Sequence, residues 1–189
     1  MNTPAHILVN LAVLGGGERW AYARPIAAGA VLCDLPMFLF FVWERFVEGA
    51  SQAAIWGHAY FESGWQRFFD VFNSIPLALL GLLGALAGRR PGVALFFASV
   101  LLHSVLDLPL HHDDGHGHFW PISTWRFVSP VSYWDPAHHG AWGALLETSA
   151  VVVSCAVLWQ RVERVWLRAA LAALGSVQSL GWLLLYVVR

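Results

Sequence analysis

Residues 93–118, VALFFASVLLHSVLDLPLHHDDGHGH, begin as an apolar segment and end in a cluster of metal-binding side chains. The apolar part, residues 93–110, approaches the roughly 20 residues that a helix needs to cross the bilayer core. Between His103 and His118 the chain carries five histidines and three aspartates. This combination predicts a membrane helix that ends at a metal site.

The rest of the chain has the same apolar character. Of its 189 residues, 58% are hydrophobic and 12% are charged, whereas soluble domains carry roughly 25% charged residues. So few charged side chains would hardly cover the surface of a soluble protein of this size, which predicts an integral membrane protein. The net charge of −1 argues against a nucleic acid partner.

Six apolar segments predict an all-α, multi-pass bundle of about six transmembrane helices in a single membrane domain, residues 1–189. Four segments are near full length and two are shorter: 25–43, 93–110, 141–160 and 166–187, then 4–15 and 75–88. An excess of arginine in three loops that share one side predicts that this side is cytoplasmic. Two long connections would then face the periplasm: 44–74, an interfacial segment rich in aromatics, and 111–140, the metal-binding loop.

The ionisable residues inside the apolar segments are the candidate metal ligands, because such residues are costly at membrane depth and usually serve a site. His103 and Asp107 are one helical turn apart and share a face. Imidazole and carboxylate together suit zinc or a similar divalent ion. A buried His–Asp hydrogen bond that locks two helices is the alternative for this pair. The predicted ligand set is His6, Asp34, His103, Asp107 and His111.

A repeated tripeptide links two of these ligands. Asp34-Leu35-Pro36 and Asp107-Leu108-Pro109 each place an aspartate two residues before a proline. Proline cannot donate a backbone N–H, so each aspartate is expected at a break or bend in its helix. Irregular backbone at membrane depth is tolerated where it lines a cavity or packs inside protein. The repeat therefore predicts that Asp34 and Asp107 share one polar cavity.

The loop after this helix supplies further polar candidates. We expect His112, Asp113 or Asp114 to accept a proton during catalysis. Arg126 is expected to hold a phosphate or carboxylate group. A supporting role near the metal or substrate is expected for His118, Arg126, Asp135, His138 and His139, with His138 and His139 as candidates to close over the site. His116 lies between two glycines, so it is expected to be mobile and to contribute little to metal binding.

Four motifs carry a resemblance to a known family: NTPAH (residues 2–6), CDLP (33–36), HSVLD (103–107), and FWP followed by WRF (119–127). Over about residues 1–140 the chain resembles bacterial inner-membrane proteins classed as metal-dependent hydrolases, of which the LexA-regulated members are best known. That family is distantly similar to zinc-dependent phospholipase C, an all-helical fold. The resemblance implies that His103 and Asp107 bind zinc and that His6 and Asp34 match the early His and Asp of the family.

The chain departs from the family pattern at FFDVFNS, residues 68–74. The family often has two histidines in the corresponding stretch. Here Asn73 stands in place of the second, and the first has no counterpart. The departure bears on whether the site holds more than one metal ion.

Three functions are compatible with these residues. The first is a metal-dependent hydrolase that acts on a phosphoester or lipid-like substrate at the outer face of the membrane, with membrane lipid as its partner. The second is a metal-binding or metal-transport protein that uses the same groups as an ion path. The third is a structural protein that its metal stiffens. Between Asp107 and the Arg89-Arg90 loop the helix offers only Ser99 as a polar group, which favours a one-sided site over a transport path.

Overall fold

The computed structural model describes residues 1–188 and is helical, with no strand in that range. This confirms the predicted all-α fold. The helices are α1 Thr3–Leu14, α2 Ala23–Leu32, α3 Leu35–Val42, α4 Gln52–Gly57, α5 Ser63–Phe72, α6 Ile75–Ala87, α7 Pro91–Asp107, α8 Gly140–Trp159 and α9 Val165–Tyr186.

Four helical segments are long and apolar enough to cross a membrane: Ser63–Ala87, Pro91–Leu110, Gly140–Trp159 and Val165–Tyr186. A fifth span is formed if the bent pair Gly17–Leu32 and Leu35–Val47 crosses as one unit. Helix α1, with 12 residues, is shorter than a full span.

One boundary differs from the prediction. The sequence predicts residues 63–72 as part of the interfacial connection 44–74. In the structure, α5 continues in line with α6 as a single segment of 25 residues. Asn73 lies at the junction, where its side-chain amide donates to the carbonyls of Phe69 and Cys33. These bonds tie the junction to the end of α2, so the chain stays in the bundle. The interfacial part of the connection is correspondingly shorter.

Both Asp-Leu-Pro repeats interrupt their helices as expected. Helix α2 ends at Leu32, α3 begins at Leu35, and their axes differ by 51°. Helix α7 ends at Asp107 and is followed by a single 3₁₀ turn, Leu108–Leu110. The two aspartates therefore lie at helix ends, where their side chains can turn inward.

Helix α7 packs against α1, α2 and α6, and α1 also packs against α8. Helix α9 contacts α8 at the edge of the bundle, and only its Leu171 is buried. Helices α1, α2 and α7 therefore pack against one another, and α1 and α7 carry the buried residues His6, His103 and Asp107. This arrangement encloses His6 and His103 completely.

The two long connections meet at the same end of the bundle, as predicted. The hydroxyl of Tyr60 donates to the carbonyl of Asp114 over 2.7 Å. The guanidinium of Arg126 pairs with the carboxylate of Asp70 over 2.6 Å. These contacts join the 44–62 connection and α5 to the 111–140 loop.

Candidate metal centre

Three side chains from two helices form the tightest group of possible metal ligands among the described residues. His6 comes from α1, and His103 and Asp107 come from α7. One ligand atom from each lies within 4.8 Å of the other two. All three side chains are buried. The one-turn spacing places His103 and Asp107 on the same face of α7, and packing of α1 brings His6 to that face.

The carboxylate of Asp107 lies between the two imidazoles. Nε2 of His6 is 2.9 Å from Oδ1 of Asp107, and Nε2 of His103 is 3.1 Å from Oδ2. The two rings stack, with centroids 3.5 Å apart and planes inclined by 11°. Two protonated imidazoles would repel each other at this separation, so the stack favours neutral rings, the form that binds metal ions.

The tautomer of His103 follows from its second nitrogen. Nδ1 lies 2.8 Å from the carbonyl oxygen of Ala30, which can only accept, so Nδ1 carries the hydrogen. In the neutral ring Nε2 then presents a lone pair. This buried atom makes no hydrogen bond, yet it faces carboxylate oxygens of Asp107 and Asp34 at 3.1 and 3.5 Å. A lone pair opposite two carboxylates is stable only with a cation among them, either a proton or a metal ion.

Asp34 and His111 border this group, as the sequence predicted. Asp34 directs Oδ1 to His103 and accepts a hydrogen bond at Oδ2 from the hydroxyl of Thr3, over 2.6 Å. His111 has Nε2 at 3.4 Å from Oδ1 of Asp107 and Nδ1 at 3.1 Å from Oδ2 of Asp114. The five predicted ligands therefore lie together, and we refer to them as the cluster. His6, His103 and Asp107 are the closest three.

Two cavities lead away from the cluster. The inner cavity, of about 290 Å³, is lined by polar side chains that include Asp34, Asp107, His111 and His116. The amino group of Met1 also lines it and donates to Oδ1 of Asp107. The outer cavity, of about 520 Å³, adjoins the inner one and shares Met37, His111 and Tyr133 with it. A small molecule therefore has space beside the cluster.

Of the three residues predicted to be catalytic, only Asp114 contacts the cluster. Burial raises its pKa, but the hydrogen bond and charge of His111 outweigh that effect and lower the pKa to about 2. Asp113 is exposed and lines the outer cavity. His112 faces away, because its ring stacks on His138 and its Nδ1 lies 2.6 Å from the carbonyl of Ser129.

The electrostatics of His111 fit its position between two carboxylates. Burial lowers its pKa, but the charge of Asp107 and the hydrogen bonds to Asp107 and Asp114 raise it to about 9. A carboxylate that holds the second nitrogen of an imidazole is the usual way to orient a histidine at a metal site.

The structure gives Arg126 a different role from the predicted substrate clamp. It donates to Oδ2 of Asp70 over 2.6 Å and to the carbonyl of Gly115 over 2.7 Å, so its guanidinium is engaged in holding the loop. Asp70 also accepts the backbone N–H of Gly117 over 2.7 Å. Asp70 was not among the predicted site residues, because the only signal for it in the sequence is a single carboxylate in an amphipathic helix.

The remaining predicted side chains lie outside the cluster. His118 is buried and its Nδ1 lies 3.1 Å from the carbonyl of Asn73. His138 pairs with Asp135 over 2.7 Å, and the bond from His138 lowers the pKa of that carboxylate. His139 is exposed and precedes α8 in a left-handed conformation. Neither His138 nor His139 closes over the cluster.

His116 differs most from expectation. It is buried, with 3% of its surface exposed, and lines the inner cavity, and its Nδ1 has no hydrogen-bond partner. Burial, and then the charges of His111 and His118, lower its pKa to about 3. The flanking glycines are held by Arg126 and Asp70, so the backbone is ordered where the sequence suggested mobility.

The donor set of two imidazoles and one carboxylate fits zinc or a related divalent ion. The cavity beside it gives such a site an open side, as catalytic zinc sites have and closed structural sites lack. Comparison of the chain with protein-family models, with curated proteins and with solved structures gives no match.

Proposed function

We propose that this chain is a membrane-embedded hydrolase that depends on a divalent metal ion, with zinc as the ion that suits its donor set. Its substrate would be a phosphoester or lipid-like molecule that reaches the site from the outer face of the bacterial inner membrane. The observation that carries the proposal is the environment of the Nε2 atom of His103. This atom is buried without a hydrogen bond, faces two carboxylates, and belongs to a cluster that borders a cavity.

In this proposal His6, His103 and Asp107 hold the ion, and the inner cavity gives access to its open side. Three protein ligands with an open position are typical of catalytic zinc sites. A divalent ion there would supply Lewis acidity and lower the pKa of a water molecule. Asp34 lines the same cavity, where its carboxylate can accept a proton.

Asp114 acts on the site through His111. Its Oδ2 atom accepts a hydrogen bond from Nε1 of Trp134 over 2.9 Å and lies 3.1 Å from Nδ1 of His111, so its charge faces that ring. This charge favours the ring position in which Nε2 of His111 is directed at Asp107. We assign Asp114 a positioning role in place of direct proton transfer.

The two cavities support a small substrate with an apolar part. Their volumes, about 290 and 520 Å³, fall in the range of small-molecule sites. Both lie at the end of the bundle where the long connections meet. Because Arg126 is engaged with Asp70, the phosphate of the substrate would be held by the metal ion and not by that arginine.

Metal transport is the alternative, and it requires polar groups that continue through the bundle. On the far side of the cluster, the amide of Asn10 donates to the carbonyl and hydroxyl oxygens of Ser99, and Ser99 donates to the carbonyl of Ile26. These groups are fully buried, and apart from Oδ1 of Asn10 they are bonded to one another. The packing here favours a site that opens to one side only.

The test is metal content and turnover measured on the same preparation. Purified protein in detergent should retain about one divalent ion per chain and should hydrolyse a phosphodiester such as bis(p-nitrophenyl) phosphate or a phospholipid. His103→Ala should lose both properties. His58→Ala is the matched control, because the side chain of His58 is 84% exposed and lies outside the cluster.

Two outcomes would contradict the proposal. One is protein that holds the ion in full yet turns over no phosphoester under any metal condition. The other is metal uptake into sealed vesicles that His103→Ala abolishes, which would establish transport instead.

A further inference from the structure

The outer cavity has walls of an unusual kind. Five aromatic side chains line it: Trp56, Tyr60, Phe61, Tyr133 and Trp134. Two carboxylates, Asp113 and Asp114, share the lining with the imidazole of His111, which lies against Asp114, and none of the described lining residues is lysine or arginine. The cavity therefore combines aromatic faces with negative charge.

The aromatic rings are held in place before any ligand arrives. The Tyr60 and Phe61 rings meet edge to face, with centroids 5.1 Å apart, and the Trp56 ring lies 6.1 Å from that of Tyr60. The hydroxyl of Tyr60 donates to the carbonyl of Asp114. Trp56, Phe61 and Trp134 nevertheless remain 42, 49 and 52% exposed, so much of their surface is free for contact.

The negative charge of the cavity is only partly balanced. Oδ2 of Asp114 meets His111 and Trp134, but Oδ1 is buried and has no hydrogen-bond partner. Asp113 is exposed at the cavity. A cation bound among these groups would meet both a partner for the carboxylates and the negative faces of the aromatic rings.

Aromatic residues near a membrane often serve only as an interfacial belt. Belt residues point outward to lipid headgroups. Here the rings converge with two carboxylates on one cavity, and that cavity adjoins the inner cavity at Met37, His111 and Tyr133. Convergence of this kind is typical of a binding site for an organic cation.

We propose that the outer cavity binds an alkylammonium group through cation–π contacts and the charges of Asp113 and Asp114. Resting on the function proposed above, the substrate is then a zwitterionic phosphoester, with its phosphate at the metal centre and its ammonium group among the aromatic rings. One ligand can contact both places because the two cavities share three lining residues.

The test compares choline with 3,3-dimethylbutan-1-ol, which has nearly the same shape and no charge. The protein is held in nanodiscs of phosphatidylglycerol, whose headgroup has no ammonium group, and binding is titrated by saturation-transfer NMR on the ligand methyl groups. We expect saturable binding of choline and binding of the alcohol that is at least about threefold weaker.

Variants then identify the cavity. Trp134→Leu removes a ring and Asp113→Asn removes a charge, and each should weaken choline binding about threefold to tenfold. Trp134→Phe should restore part of the loss, because a ring face returns. Trp166→Leu is the matched control, since Trp166 is also exposed, at 63%, but lies on α9 outside the cavity.

Equal binding of choline and the alcohol would overturn the proposal and leave an apolar cavity. Failure of choline to bind, or equal weakening by Trp166→Leu, would overturn it as well. None of these measurements needs turnover or bound metal. Choline binding without hydrolysis would therefore contradict only the hydrolase function, and hydrolysis without choline binding would contradict only this inference.

Discussion

Nε2 of His6 lies 2.9 Å from Oδ1 of Asp107, a contact between side chains 101 positions apart that joins the first turn of α1 to the last residue of α7. The same carboxylate meets His103 at its other oxygen. Asp107 is thus the residue on which the cluster converges, and the predictions below begin with it.

Loss of a cluster residue should remove the metal. Asp107→Ala and His103→Ala should each weaken metal binding by more than about 100-fold. Even the loss of a residue that only orients a metal ligand lowers metal affinity by about 10- to 100-fold. The measurement is metal content by mass spectrometry after gel filtration in mild chelator. His58→Ala should retain the ion, and equal loss in all three variants would contradict the assigned ligands.

Asp114→Asn should separate turnover from metal content. The change removes the charge that faces Nδ1 of His111 but leaves His6, His103 and Asp107 intact. We expect kcat to fall about 10- to 100-fold while most of the ion is retained. Steady-state kinetics and metal analysis on one preparation check this. Metal loss as large as that of Asp107→Ala would instead make His111 an essential ligand.

Gly117→Ala should destabilise the loop. The added Cβ would lie 2.6 Å from Oδ2 of Asp70, so the carboxylate must move away from Arg126 and from the Gly117 N–H. The free energy of unfolding should fall by about 1–3 kcal/mol. Thermal unfolding in detergent measures this. Gly64→Ala is the control, because its Cβ would meet no atom within 4 Å; an equal loss there would rule out the steric explanation.

Cysteine labelling should place the two long connections on one side of the membrane. Phe61→Cys and Asp113→Cys should react with an impermeant reagent from the same side, and Arg89→Cys from the other, because α7 runs between Asp113 and Arg89. The native Cys33 and Cys155 are buried, so their background should be low. Labelling of positions 61 and 113 from opposite sides would contradict the arrangement of the bundle.

Much of the fold was predictable because membrane helices depend on local composition. The segment predicted at 93–110 corresponds to α7, and those at 141–160 and 166–187 match α8 and α9 within a residue or two. The two prolines of the Asp-Leu-Pro repeats also predicted both helix breaks, because proline cannot donate a backbone N–H. The α5–α6 span was missed because the side-chain bonds of Asn73 to α2 and α5 decide whether that stretch stays in the bundle.

The candidate ligands were predictable for a related reason: an ionisable group inside an apolar segment is conspicuous and costly. His6, Asp34, His103, Asp107 and His111 do lie together. The loop was less predictable, since composition alone does not say which polar side chains pair with one another. His112 and His138 stack on each other instead of facing the cluster, and Arg126 pairs with Asp70.

The sequence by itself therefore determined the membrane helices, their breaks at Asp34 and Asp107, and the residues gathered at one end of the bundle. These features depend on hydrophobicity and backbone geometry over a few neighbouring residues. The tertiary structure alone decided that His116 is buried in the cavity wall and that Asp114 lies against His111. Those contacts depend on which distant segments meet, as when Asp70 and Arg126 bind the two glycines beside His116 and make a flexible stretch rigid.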